Sequence, residues 1–196
     1  MEPFPLFIEY KVVDVSDTQN PEYVFITALQ KQFDEEVFQR LLSPHLQYGF
    51  RIIYRLLVHE QDSEDVFQEV LYKVVRGIAS FRFSASFRTW FSQICFHEAI
   101  NFVKKRRGTT VITLEDIEKS PSEDAVDTSV WKKLEKEVLW DTINTLKPQY
   151  RFVLLSFYQE GLSIKEISEM MECSENNAKV LLFRARQVLK KEYSHA

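Results

Sequence analysis

Apolar residues return at steps of three and four along most of the chain, and that spacing divides it into helical stretches. From Phe38 to Val58 the stripe is Phe38, Leu41, Leu42, Leu46, Phe50, Ile53, Tyr54 and Leu57. It predicts one amphipathic helix, or a kinked pair broken at Ser43-Pro44, because proline has no N–H for the helical ladder. A second helix is expected from a cap at Asp62 to about Gly77, burying Val66, Phe67, Val70, Leu71 and Val74. Gly77 stands close to where a C-terminal cap belongs. A third helix should start at Ser86, whose hydroxyl can take an orphan N–H, and run to Arg107 before Gly108 stops it. Phe87, Trp90, Phe91, Ile94, Cys95 and Phe102 fall on one side of it, and are read as core.

Residues 108–130 lose this periodicity and gain Thr, Ser, Pro and acidic residues, which is linker composition. The stripe returns from Val130 to Thr145. Pro148 restarts a helix to about Gln159, and Gly161 ends it. Ser163 and Glu166 have the spacing of a capping box, opening a short helix to about Met171. Ser174 can cap a last helix whose apolar positions are Ala178, Leu181, Leu182, Ala185, Val188 and Leu189. Two helices joined by a short turn read as a helix-turn-helix. The expected fold is all-α: two small helical domains joined by a flexible acidic linker. The division is an N-terminal extension over 1–30, a first domain over 31–108, a linker over 109–130 and a second domain over 131–196.

Charge changes the picture by its distribution. The net charge is −4, which by itself counts against a nucleic-acid partner. Residues 1–36 carry eight acids against Lys11 and Lys31, and residues 115–127 carry six against Lys119. Against that background stand two basic clusters, Lys104-Lys105-Arg106-Arg107 and the set Lys179, Arg184, Arg186, Lys190 and Lys191. On a helical wheel Lys179, Arg186 and Lys190 fall within about 40° of one another, away from the apolar stripe. A solvated face would account for that equally well. The capped helix before it and the acidic background favour DNA. Residues near the start of a recognition helix reach base edges, which nominates Glu175, Asn176, Lys179 and Val180, with Arg184, Arg186 and Lys190 further along for phosphates.

Cys95 and Cys173 lie far apart with no ligand cluster, so neither a disulfide framework nor a zinc site is expected. No apolar run approaches about 18 residues and the start lacks a basic stretch, so the expected location is the cytoplasm, without membrane insertion.

Several motifs together resemble the extracytoplasmic-function sigma factors of bacterial RNA polymerase. The segments Leu146-Lys147-Pro148-Gln149-Tyr150-Arg151, Tyr158 to Ser163, Ile167-Ser168-Glu169-Met170, Ala178-Lys179 and Arg184-Ala185-Arg186 are similar to that family's C-terminal domain, region 4. Glu64 to Val70, Ser80-Phe81-Arg82 and Phe87-Arg88-Thr89-Trp90 are similar to its N-terminal domain, region 2. Two distinct blocks in the family's order carry more weight than a lone helix-turn-helix.

The resemblance implies a division of labour. Asp65, Gln68 and Glu69 would face the clamp helices of core RNA polymerase. The stretch Phe81 to Ala85 would receive a base flipped from the non-template strand of the minus-ten element, with Arg82 and Phe83 as its contacts. His97 and Asn101 stand in the promoter-reading helix where the family often has Asn and Asp, and Lys104, Lys105, Arg106 and Arg107 would meet duplex phosphate nearby. The last helix would read the minus-thirty-five element of promoter DNA. Glu172 stands at the usual glycine of the turn, and Val180-Leu181 replaces a commonly polar pair. An anti-sigma factor is a further implied partner. No catalytic residue, metal or cofactor is implied.

Two other classes compete. A sigma-like interaction protein would bind polymerase or a regulator without reading promoters. A free-standing helix-turn-helix regulator would bind duplex without polymerase, usually as a symmetric dimer. Metal binding by Glu64, Asp65 and Glu69 would need further convergent ligands, and no His or Asp nearby supplies them.

Overall fold

A computed structural model describes residues 21–107 and 136–193, without the side chains of Arg107 and of residues 136–138. The expected linker over 109–130, the apolar segment Phe4 to Val13 and the stripe's start at Val130 lie outside the described residues. Every described regular element is a helix.

The first body holds α1 (Pro21–Lys31), α2 (Glu35–Leu42), α3 (Leu46–Leu57), α4 (Glu60–Gly77) and α5 (Phe87–Arg107). The Ser43-Pro44 break is a single 3-10 turn, Ser43–His45, between α2 and α3. The start of α4 differs from expectation. His59 is its cap, accepting from the Asp62 N–H at 3.2 Å, while Asp62 lies buried within the first turn. Gly77 is no left-handed cap either: its φ is −81° and the chain continues into a 3-10 turn, Ile78–Ser80. Its smallness serves packing instead, because a Cβ there would come 2.9 Å from Trp90 Cζ2. Gly49 does the same between α3 and α5, where a Cβ would meet Phe91 Cε1 at 2.5 Å. Ser86 does cap α5, accepting from the Thr89 N–H at 3.0 Å. Ile52, Ile53, Val70, Val74, Phe87, Phe91 and Cys95 form the centre of this core, and burial pushes the Cys95 thiol well above its usual range.

The sequence reading began the first domain at residue 31, yet α1 packs on α2 and on the 78–80 turn. Ile26 and Leu29 are buried, and Glu22 Oε1 lies 3.0 Å from His45 Nε2. Gln30 Nε2 donates to the carbonyls of Ile78 and Phe81. Residues 21–31 therefore fold with the first body.

The second body holds α6 (Lys136–Thr145), α7 (Pro148–Tyr158), α8 (Ile164–Met170) and α9 (Glu175–Tyr193). The capping box is formed: the Glu166 N–H donates to Ser163 Oγ, and the Ser163 N–H donates to Glu166 Oε2 at 2.8 Å. The Ser163 N–H and hydroxyl, both donating to it, hold the Glu166 carboxyl below its ordinary range. Glu172 turns the chain between α8 and α9 with φ +50°, the left-handed conformation that a glycine would take without strain.

The two bodies meet along α3 against α7 and α5 against α8. Phe96 and Phe152 rings lie 4.9 Å apart in this seam. Arg151, only 3% exposed, fills it with charge. Its guanidinium donates to the Arg55 and Leu56 carbonyls of α3, and to the Asn144 and Leu146 carbonyls at the end of α6. Last-turn carbonyls have no partner within their own helix, and the helix dipole makes that end attractive to a cation. One side chain thus terminates two helices, one from each body. Beside it Arg55 pairs with Glu160, and Arg51 approaches the same carboxylate at 3.7 Å.

Candidate polymerase and nucleic-acid interface

On α4, Asp65, Gln68 and Glu69 are exposed, at positions that helical geometry stacks on one face opposite buried Val66, Val70 and Val74. Gln61 Nε2 reaches Asp65 Oδ1 at 3.5 Å. The same face continues to Tyr72, exposed and covered by Arg76 at 4.3 Å from its ring centre. This aromatic end of the strip is not among the residues expected from the sequence, although the steps from Asp65 through Gln68, Glu69 and Tyr72 to Arg76 follow the helix period. Among the described residues no three of His, Cys, Asp and Glu come together as metal ligands would, and Asp65 and Glu69 are exposed.

Between the 78–80 turn and α5, residues 81–86 form a short loop. Phe81 is buried at its base, and Arg82 and Phe83 are exposed at its tip. Phe83 has φ +56°, unusual for a bulky residue, and its ring meets Phe81 edge-on at 5.0 Å. The loop is therefore bent so that an aromatic ring faces outward over a buried one.

On α5, Asn101, Lys104 and Lys105 are exposed. Arg106 is exposed at its stem but its guanidinium is paired with Asp62, which ties the end of α5 to the start of α4. The Arg107 side chain lies outside the described residues. Further up this face the second body intervenes. Gln93 Nε2 donates to the Glu169 carbonyl at 2.9 Å, and His97 Nε2 lies 3.2 Å from Glu172 Oε2. His97 is thus engaged by the helix-turn-helix turn, and only the C-terminal half of the candidate minus-ten face is open.

On α9, Glu175, Asn176 and Lys179 are exposed in the first turns, and Ser174 Oγ accepts from the Asn177 N–H. Two expectations fail here. Val180 is 4% exposed and belongs to the core with Leu181, so its side chain cannot meet a base edge. Arg186 does not stand out from the helix with Lys179 and Lys190: it lies half-buried over the rings of Phe157 and Tyr158, 5.7 and 5.4 Å from their centres. Its stem is apolar enough to pack and its guanidinium stacks on aromatic faces, which a wheel drawn for one helix does not register. Arg184 is half-buried and Lys190 exposed.

Two family descriptions match this chain, sigma-70 region 2 over residues 41–109 and sigma-70, region 4 over residues 136–189. The ECF RNA polymerase sigma factor SigM of Bacillus subtilis is 31% identical over 160 residues, covering 82% of this chain and 94% of that relative. This chain belongs to the ECF sigma factors. The ECF RNA polymerase sigma-E factor of Haemophilus influenzae is a further relative, 30% identical over 81% of this sigma factor and 88% of its own length. Among solved structures, CnrH in complex with the cytosolic domain of CnrY shares the fold with a TM-score of 0.60 at 17% identity, covering 88% and 96% of the two chains. The sigma factor RpoE of Bartonella quintana, solved with the anti-sigma factor NepR, gives 0.57 at 20% identity over 80% and 96%. The α4 face, the 81–86 loop and the α5 face all fall within the region 2 match of this sigma factor, and the start of α9 falls within region 4. Helix α1 precedes both matches.

Proposed function

We propose that this sigma factor docks on core RNA polymerase through the α4 face and directs promoter opening with the 81–86 loop and the end of α5. The first turns of α9 then contact the minus-thirty-five element. The observation that carries this reading is the presence, in one chain, of an exposed acid and amide face on α4 and a separate recognition helix. A free-standing regulator needs only the second. Its relatives are transcription initiation factors, so polymerase carries the bond chemistry and this chain supplies docking, stacking and phosphate contact. It acts in the cytoplasm beside that polymerase.

The order of events follows from what is covered. Docking by α4 requires no rearrangement, whereas reading by His97 requires the turn at Glu172 to leave α5. An anti-sigma factor is a proposed partner, since the sigma factor RpoE, which shares this fold, has been solved with the anti-sigma factor NepR.

Pull-down of purified core polymerase tests the docking. The wild type should be retained, and a combined Asp65→Ala, Gln68→Ala and Glu69→Ala variant should be lost. Equal retention of both would remove α4 from the interface. A promoter-dependent run-off transcript from the reconstituted holoenzyme separates a promoter reader from a protein that only binds polymerase.

A further inference from the structure

The ring of Phe83 does not stand alone at the tip of its loop. Tyr23 of α1 lies 4.9 Å from it, centre to centre, with the planes tilted by 42°. Both residues are exposed, Tyr23 at 54% and Phe83 at 41%. Single exposed aromatics are ordinary on protein surfaces, but here two meet, one from a helix outside the matched region and one from a backbone held at positive φ. The same helix ties down the start of that loop, because Gln30 donates to the carbonyl of Ile78, which opens the 3-10 turn, and to that of Phe81, which follows it.

We infer that Tyr23 is a further base-stacking residue of the minus-ten site, forming with Phe83 a two-ring platform for unpaired bases of single-stranded DNA. This rests on the reading of the 81–86 loop given above. The two rings touch, so a base lands on their outer faces and not between them. Every base offers a π face, which makes the platform tolerant of sequence, while exposed Arg82 beside it offers charge to the phosphate. Unlike Gln93 and His97, neither ring has a contact with the second body among the described residues, so the platform needs no separation from it.

The test uses holoenzyme reconstituted from core polymerase and the full chain, with mixed-sequence 12-nucleotide DNA strands bearing one 5-iododeoxyuridine. Irradiation joins that base to aromatic side chains stacked on it, and mass spectrometry locates the adducts on this chain. Adducts are expected at both Tyr23 and Phe83. Tyr23→Ala should lower the strand cross-linked to this chain about 5-fold or more, as loss of one stack implies, and Tyr23→Phe should restore it. Thermal melting of Tyr23→Ala close to the wild type checks that α1 stays folded on Ile26 and Leu29. Unchanged cross-linking at Phe83 in Tyr23→Ala, with no adduct on Tyr23 in the wild type, overturns the role of Tyr23 alone. If Phe83→Ala is also without effect and Phe83 carries no adduct, the loop reading falls and this inference falls with it.

Discussion

Helices α4 and α5 lie side by side in the same body, yet their functional faces stand in different states. The α4 face presents Asp65, Gln68 and Glu69 to solvent, with no partner from the second body among its described contacts. The α5 face presents Asn101, Lys104 and Lys105, but its upper half is held by the Glu169 carbonyl and the Glu172 carboxylate. The face proposed to dock on polymerase is open, and the face proposed to read promoter DNA is half covered. The difference teaches where the closing energy resides. Gln93 and His97 make single, peripheral polar contacts, whereas the deep contacts lie behind them, at Arg151 and at the Arg55–Glu160 pair. Uncovering the proposed promoter-reading face therefore depends on a buried seam remote from that face.

The sharpest way to break the comparison is Arg151→Met. It leaves the Arg55, Leu56, Asn144 and Leu146 carbonyls without their charged donor in a buried setting. Each buried unsatisfied group costs about 1–3 kcal/mol, so a total loss of about 3 kcal/mol or more is expected in urea denaturation. A loss below about 1 kcal/mol would show that the seam does not depend on this residue. Glu160→Gln should act in the same direction more weakly. It leaves Arg55, 7% exposed, facing a neutral amide, but Glu160 keeps a fifth of its side chain in water. A loss of about 2 kcal/mol is expected, below the 3–5 kcal/mol of a fully buried pair. The more telling readout is shape: small-angle scattering should show a larger radius of gyration for Glu160→Gln as the bodies separate. An unchanged radius would place the closing energy elsewhere.

This seam was the least legible part of the chain. The apolar period located the core helices, because Ile53, Val70, Phe91 and Leu181 recur at the steps that bury one helix face. The capping box and the Ser86 cap were legible for the same reason: their chemistry is confined to four consecutive residues. What joins α3 to α7 is separated by some 95 residues along the chain, since Arg151 donates to the Leu56 carbonyl. A backbone carbonyl leaves no mark in the sequence. The failed expectations at Val180 and Arg186 have a similar origin. A wheel orders the residues of α9 by angle, but Phe157 and Tyr158, which draw the Arg186 guanidinium inward, belong to α7. Tyr23 was missed because its partner Phe83 lies in a loop, where no period applies.

Ser163→Ala probes a local contact of the second body, remote from α4, and should cost about 1 kcal/mol, the ordinary value of an N-cap hydroxyl. Its pH dependence gives an internal check. The Ser163 N–H and hydroxyl hold the Glu166 carboxyl below its unfolded value, so this stabilisation is complete above the ordinary glutamate range. It is lost as pH falls through the lowered folded value. The gap between wild type and Ser163→Ala should narrow at low pH, because the bond from the hydroxyl to the carboxylate is lost there while the bond from the Glu166 N–H to the hydroxyl remains. A gap that stays constant down to acid would mean that the hydroxyl adds nothing by donating to the Glu166 carboxylate.

The smallest expected effect on stability belongs to the face with the largest expected effect on binding. Asp65, Gln68 and Glu69 are exposed and contribute only one long side-chain hydrogen bond among the described contacts, so their combined replacement by Ala should change stability by no more than about 0.5 kcal/mol. Alanine also favours the helix slightly more than the residues it replaces, which offsets the lost Gln61–Asp65 contact. Equal melting with lost polymerase retention would make α4 a surface kept for a partner. A destabilisation above about 2 kcal/mol would mean that the α4 face supports the fold, and the contrast between an open docking face and a closed reading face would no longer hold.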